Sequence, residues 1–372
     1  MAPIRVLQIV TSMNMGGIEN YLMTNYRKID RTRVQFDFLK HRDSHDLFDD
    51  EILDLGGKIY SVPPINPLRQ HTYDRAVADF FRAHKDTYSI VHSHMNTFSA
   101  YPLRLAAQEG IPVRIAHAHA TTKKLDLKTP FRLYTKRILP RYITDAFACS
   151  EAAGNWLFGD FPFSVLPNPI DATAFVPQAE IRRKMRKALG ISNRYVVGMV
   201  ASFSAIKNHK FMVDVFAKVH TAMPNAVLLL VGDGPLREQV AAQVQSYGLE
   251  DAVVFAGVRK DIAHILQCMD VFVMPSISEG FAISALEAEA TGLPCVLSTG
   301  VPPDVKLFPE MQTVFLPLEV QTQWVQTILS VATAPKIAWA EKIAQTDFDA
   351  SKSAARLMRF YEEKMQSEFA VV

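Results

Sequence analysis

The chain has 372 residues, enough for two domains, and its 49% hydrophobic and 21% charged content is that of a protein able to bury a core in each. This composition excludes a disordered, collagen-like or coiled-coil protein. With 40 Lys plus Arg against 38 Asp plus Glu, the net charge of +2 provides no whole-molecule field for gripping a nucleic acid backbone, so no nucleic acid partner is expected.

In chain order, the β-branched run Val6 to Val10 is followed by Gly16-Gly17 and then by Ile18, Leu22, Tyr26 and Ile29 at helical spacing: strand, turn, helix. The alternation continues with Val34 to Leu39, a helix through Asp49 to Leu55 ended by Gly56-Gly57, and Ile59 to Val62. A helix from Tyr73 to His84 leads into Ser89 to His92, and one from Tyr101 to Gln108 into Val113 to His117. Strands separated by helices predict a parallel sheet covered on both faces. Pro167, Asn168, Pro169 and Pro177, followed by the basic stretch Arg182 to Lys187 and Gly190, mark a boundary with a linker helix. The rhythm restarts at Tyr195 to Val200, then Val227 to Val231, Val253 to Phe255, Val271 to Met274 and Cys295 to Leu297. In such sheets ligands sit beyond the carboxyl ends of the strands, and two facing units put the site in the cleft between them.

Cys149, Cys268 and Cys295 are too far apart for the close-set ligand pairs of a zinc site and too few for a disulfide framework, so they read as buried apolar groups of a reducing compartment. The apolar stretch after Met1 is too short for a signal peptide, and no apolar run reaches the roughly 18 residues of a membrane span.

Gly16-Gly17 lets phosphate oxygens approach backbone N–H groups at a helix start, or simply makes a tight turn. Gly232-Asp233-Gly234 is a second glycine turn. Neither completes a three-glycine dinucleotide fingerprint, which argues against a nicotinamide or flavin enzyme. The most informative segment is Met274 to Glu287. Glu279 lies in a loop before a helix starting near Ala282, and Glu287 lies inside that helix. Eight positions span up to about 12 Å of helical rise, a reach suited to one sugar-nucleotide rather than one metal ion. Glu279 can accept from sugar hydroxyls and Glu287 from a ribose diol, while the N–H groups of Gly280, Phe281, Ala282 and Ile283 face a diphosphate; the plain alternative is two solvated glutamates.

This segment resembles the E-x7-E signature of the GT4 group of retaining glycosyltransferases. The resemblance extends through the His-Ser-His and His-Ala-His strands, Pro167-Asn168-Pro169-Ile170-Asp171, Lys207-Asn208-His209, Gly232-Asp233-Gly234 and Asp270 to Ser276. Bacterial exopolysaccharide and capsule transferases are the most similar members. The resemblance implies an α/β chain with the GT-B fold: two facing Rossmann-like domains, a central cleft and a C-terminal crossover helix. It divides the chain into an acceptor-side domain 1–176, a linker helix region 177–189, a nucleotide-sugar domain 190–345 and a returning helix 346–372. It also implies retaining transfer of a sugar from a nucleotide diphosphate donor, a UDP-sugar, to a hydroxyl of a lipid-linked saccharide, with no metal and no cofactor. The alternatives are a non-catalytic GT-B-like partner of another transferase and a nucleotide-sugar epimerase.

By that resemblance Glu279 holds the donor sugar, Glu287 the ribose and Lys207 the leaving diphosphate, Gly16 and Gly17 approach the phosphates, and His119 lies beside the transferred bond. His92 and His94 fall on the acceptor side or serve packing, and His117 packs. Two same-face histidine pairs can in principle ligate zinc, but no carboxylate or cysteine cluster accompanies them. Family members commonly carry an arginine where this chain has Ser202, a charge-assisted contact typically worth about 1.5–3 kcal/mol, and Arg259 is the candidate substitute. Lys123, Lys124, Lys128, Arg132, Lys136, Arg137 and Arg141, interleaved with apolar residues, suit anionic lipid heads or a lipid-linked pyrophosphate, or form a solvated helix face. The expected location is the cytoplasm, with peripheral attachment to the inner face of the cell membrane allowed.

Overall fold

The computed structural model describes residues 2–14, 16–66, 69–120, 129–333 and 336–369. They form two compact units, one of residues 1–169 with 347–372 and one of residues 170–346.

The first unit holds a parallel seven-stranded sheet: β1 (Ile4–Val10), β2 (Val34–Lys40), β3 (Ile59–Ser61), β4 (Ile90–Ser93), β5 (Val113–Ala118), β6 (Asp145–Ala148) and β7 (Ser164–Val165), in the order β3-β2-β1-β4-β5-β6-β7. Both faces are apolar, as a parallel sheet covered by helices requires. Val6 and Val10 pack with Tyr26, Phe36 and Phe38 on one face, while Leu7 and Ile9 pack with Val77, Phe81 and Val91 on the other. The helix Ala350–Phe369 belongs to this unit. It packs on the helix Gly17–Lys28, sends Ala354, Leu357, Met358 and Tyr361 into the core, and pairs Glu362 with Arg33 at 2.7 Å and Lys364 with Asp145 at 2.6 Å.

The second unit holds six parallel strands, β8 (Tyr195–Val200), β9 (Ala226–Val231), β10 (Val253–Gly257), β11 (Val271–Met274), β12 (Cys295–Ser298) and β13 (Thr313–Leu316), in the order β10-β9-β8-β11-β12-β13. In each unit the strand order reverses beside the first strand, between β1 and β4 and between β8 and β11. The loops leaving these carboxyl ends open the crevice where open α/β sheets bind ligands.

The chain passes between units at Pro169, earlier than the expected end of the first domain at 176. Residues 170–189, including the basic helix Ala179–Ala188, belong to the second unit. The reason is Asp270, just before β11. Its carboxylate takes Arg182 Nη2 at 2.6 Å and Arg186 Nη1 at 3.3 Å, while Arg182 Nη1 also donates to the carbonyls of Gln267 and Met269. The dense charge of this helix is a staple to the second sheet.

Candidate active site

In the second unit, the loop after β8 carries Lys207 at the end of a single 3-10 turn, Ala205–Lys207. Asn208, in the left-handed region at φ +59, turns the chain into the helix His209–Ala222. His209 stacks on Phe203 with centroids 4.0 Å apart, and burial, then the Lys207 charge, lowers its pKa to about 4. The Gly232-Asp233-Gly234 turn is needed because the loops after β8 and β9 touch. A Cβ on Gly232 would lie 2.2 Å from the Ala201 carbonyl oxygen, and one on Gly234 would lie 2.7 Å from that of Phe203.

The loop after β11 carries Glu279. Ile277 N–H donates to the Ile206 carbonyl at 2.8 Å, joining this loop to the Lys207 turn, and Glu279 N–H donates to the Gly300 carbonyl at 2.9 Å. Held from both sides, Glu279 meets Lys207: Nζ donates to Oε1 at 2.6 Å and to Oε2 at 2.8 Å. Two residues 72 positions apart in sequence thus share one spot because β8 and β11 are neighbours at the point of strand reversal. The side chains remain 23% and 9% exposed, so an incoming ligand can exchange with the pair.

The helix after this loop runs Ile283–Ala290, one residue later than expected, because the Ile283 N–H is turned to the Phe281 carbonyl at 3.2 Å. Ala282 is buried, and Gly280, Phe281 and Ile283 are half-buried around the helix start. Glu287 is half-buried by surface but closely surrounded at its carboxyl, and burial pushes its pKa up to about 8. Ser202 is exposed, and its hydroxyl lies 3.5 Å from that of Ser204. Arg259, the candidate substitute, is paired at both ends with Asp261 at 2.7 and 2.6 Å.

In the first unit, Gly16 caps the helix Gly17–Lys28 with extended backbone. A Cβ there would lie 2.3 Å from Glu19 Oε2: the Glu19 carboxyl folds back over the turn, and burial raises its pKa to about 7. Nothing lies within 4 Å of a Cβ on Gly17. The segment before the turn is held by Asp46, which accepts from Met13 N–H at 2.8 Å and Asn14 Nδ2 at 2.7 Å and is paired with the buried Lys40. Glu19, Asp46 and Lys40 were not singled out by the sequence reading; Lys40 closes a strand that also holds Gln35 and Asp37, so the local pattern does not mark it.

The carboxyl ends of β4 and β5 bring His92, His94, His117 and His119 together. All four are buried, and adjacent rings lie 4.1–5.4 Å apart. His92 Nδ1 meets the Tyr361 hydroxyl at 2.7 Å, His94 Nε2 meets Gln8 Oε1 at 2.9 Å, and His94 Nδ1 meets His119 Nε2 at 2.8 Å. Both nitrogens of His117 are unpartnered, so it packs. The sequence reads His92 and His94 as acceptor-side or packing residues; the fold buries both rings. Burial lowers the pKa of His92 and of His119 to about 3, and those of His94 and His117 well below the ordinary value. Ligand atoms of His92, His94 and His117 lie within 4.8 Å of one another. Both nitrogens of His94 are engaged, by Gln8 and by His119, so a metal there would have to displace one of these bonds.

Lys123, Lys124 and Lys128 lie outside the described residues. Beyond them the helix Thr129–Ile138 exposes Leu133 (61%) and Tyr134 (57%) beside Arg132 and Arg137. Among the described residues no helix is long and apolar enough to cross a membrane.

Comparison with known proteins bears on the whole chain. Residues 15–174 match the family described as Glycosyltransferase Family 4, and residues 181–316 match Glycosyl transferases group 1. A putative glycosyltransferase, EpsF of Bacillus subtilis, is 34% identical over 369 residues, covering 96% of both chains. An Escherichia coli UDP-Gal:alpha-D-GlcNAc-diphosphoundecaprenol alpha-1,3-galactosyltransferase is 30% identical over 226 residues, 58% of each chain. Among solved structures, Anabaena HepE in complex with UDP and glucose superposes with a TM-score of 0.74 at 19% identity, covering 99% of this chain and 100% of that one. Sucrose-phosphate synthase from Thermosynechococcus elongatus gives 0.79 at 18% identity, covering 98% and 99%. With two sheets of this topology and a relative matched nearly end to end, the chain belongs to glycosyltransferase family 4 and has the GT-B fold.

Proposed function

We propose that the protein transfers a sugar, with retention of anomeric configuration, from a UDP-sugar to a hydroxyl of a lipid-linked saccharide during exopolysaccharide or capsule assembly. The observation that carries this reading is the Lys207–Glu279 pair at the strand reversal of the second unit. In the absence of donor each group neutralises the other. When donor binds, the ammonium exchanges its carboxylate for the diphosphate, and Glu279 is released to accept hydrogen bonds from the sugar. A fixed cation there stabilises the negative charge that develops as the nucleotide leaves, so no metal is required in this reading.

Glu287, kept protonated to about pH 8, can both donate to and accept from a ribose diol. Gly16 and Gly17 approach the phosphates, and His119 lies beside the transferred sugar. The acceptor oxygen bonds to the anomeric carbon on the face from which the phosphate oxygen departs. The acceptor proton passes to that departing oxygen, so no side-chain nucleophile is involved. The name of the E. coli galactosyltransferase supports the lipid-linked assignment, and the UDP in the HepE crystals supports the base. Leu133 and Tyr134, exposed among basic residues, give a face for peripheral contact with anionic lipid where a lipid-linked acceptor would be met.

The second reading, a non-catalytic partner subunit that no longer holds donor, rests on Ser202, which leaves the diphosphate one cation short. Thermal melting against UDP- and GDP-sugars separates the two, since a ligand of the native state at 100 times its Kd adds about 2.7 kcal/mol of stability. UDP-sugars are expected to raise the melting temperature. If no nucleotide does so, the transferase reading is wrong.

A further inference from the structure

Gln8 is a lone polar residue within Val6-Leu7-Gln8-Ile9-Val10, fully buried at the centre of β1. Its carboxamide oxygen meets His94 Nε2 at 2.9 Å. A carbonyl oxygen only accepts, so His94 carries its proton on Nε2, and in a neutral ring Nδ1 is then a lone pair. That lone pair faces His119 Nε2 at 2.8 Å, so His119 Nε2 carries the proton and donates. His119 Nδ1 is left as a buried lone pair, with the Asn168 side chain beside the ring.

The amide nitrogen Nε2 is buried without a hydrogen-bond partner, near the Tyr361 hydroxyl, which comes from the returning helix Ala350–Phe369 and meets His92 Nδ1 at 2.7 Å. Were the amide reversed, its NH2 would donate to His94 Nε2, and each proton along the line would move to the opposite nitrogen. His119 would then present an N–H at Nδ1.

We propose that Gln8 is a positioning residue that fixes the tautomer of His119 through His94, so that His119 offers its Nδ1 lone pair to a hydroxyl of the bound sugar or acceptor. This rests on the proposed placement of His119 beside the transferred sugar. It accounts for a carboxamide within the apolar run Val6 to Val10.

Two-bond 1H–15N spectra of histidine-labelled protein, with His119 assigned by loss of its signals in His119→Gln, read the tautomer without reference to activity. The expected result is a single Nε2–H form in the wild type and a mixture in Gln8→Met, with kcat at least ~10-fold lower and KM little changed. Gln8→Glu keeps an accepting oxygen, so it retains the Nε2–H form and most of the turnover at alkaline pH. It also adds a limb in which activity falls as pH drops. The carboxylate favours His94 imidazolium, which donates from Nδ1 and drives the His119 proton to Nδ1. The titratable groups facing His94 are Tyr21 from the helix Gly17–Lys28, His92 from its own strand, and His117 and His119 from β5. Tyr361 acts through Gln8, and Cys149 and Arg356 act on Tyr21.

An Nδ1–H form of His119 in the wild type, or a Gln8→Met protein with an unaltered tautomer, would overturn the inference. Full turnover by His119→Ala would instead overturn the proposed placement of His119, whatever the spectra report.

Discussion

Lys207 and Glu279 satisfy each other in the free chain, and that mutual pairing makes opposite predictions for the two side chains. Lys207→Ala removes the cation that receives the diphosphate. It is expected to weaken UDP binding by about 10-fold or more, the effect of losing one charge-assisted hydrogen bond. Glu279→Ala removes the group that competes for the ammonium, so UDP is expected to bind at least as tightly, while turnover of the intact UDP-sugar is lost. Calorimetric titration with UDP checks both signs, and equal weakening in the two variants would contradict the exchange.

A different residue governs pH dependence of stability. Glu289 is 1% exposed, accepts from the Thr313 hydroxyl, and is held protonated by burial to about pH 8. In the unfolded chain it ionises near its ordinary value of 4.5. Its folded pKa is raised, so the proton-linked stability is complete below about pH 4.5 and declines as pH climbs toward 8. Glu289→Gln keeps a neutral group of the same shape. It should flatten that decline, recovering up to about 3 kcal/mol at pH 7 from a shift worth about 1.4 kcal/mol per unit. Denaturant unfolding at pH 5 and pH 7 measures it; a variant less stable than the wild type at both would contradict the assignment.

At the scale of elements, the Glu279 loop depends on close packing of three strand ends. A Cβ on Gly300, just beyond β12, would lie 2.4 Å from the Ile277 carbonyl oxygen and 2.6 Å from that of Ser276. Since the obstacle is backbone, Gly300→Ala has to move the loop that carries Glu279. The expected outcome is a loss of about 1–3 kcal/mol of stability together with a large drop in turnover. Wild-type turnover in this variant, measured beside its unfolding curve, would mean that the loop position does not matter.

Ten of the thirteen strands are legible in the sequence because runs such as Val227 to Val231 are continuously apolar and bounded by glycine or proline, whereas the short β6, β7 and β13 do not stand out from their surroundings. The Lys207–Glu279 contact is not, since it follows from β8 lying beside β11, a long-range choice that local periodicity does not encode. Gln8 left a faint signal, one polar residue inside Val6 to Val10, while Asp37 stands with Gln35 and Lys40 in a strand where polar and apolar residues mix. Their partners, His94 for the one and Arg5, Lys58 and Tyr88 for the other, come from distant segments. The basic run Arg182 to Lys187 reads as a linker because nothing nearby in sequence announces that Asp270 receives it.

For the molecule as a whole, two units with separate cores predict separable unfolding, since each buries its own apolar surface. The first unit is completed by residues 347–372, and truncation after Thr346 uncovers the core around Val10, Tyr26 and Phe36. Scanning calorimetry of the truncated chain should find one transition lowered or lost and the other unchanged. A uniform shift of the whole endotherm would show instead that the units unfold as one.

The most direct test of the central claim is release of UDP from a panel of UDP-sugars by the purified wild-type protein and by Glu279→Ala, with both shown to be folded. The account predicts measurable turnover of at least one UDP-sugar by the wild type and its loss in the variant. Undiminished turnover in Glu279→Ala, or none in the wild type with its acceptor supplied, would contradict it.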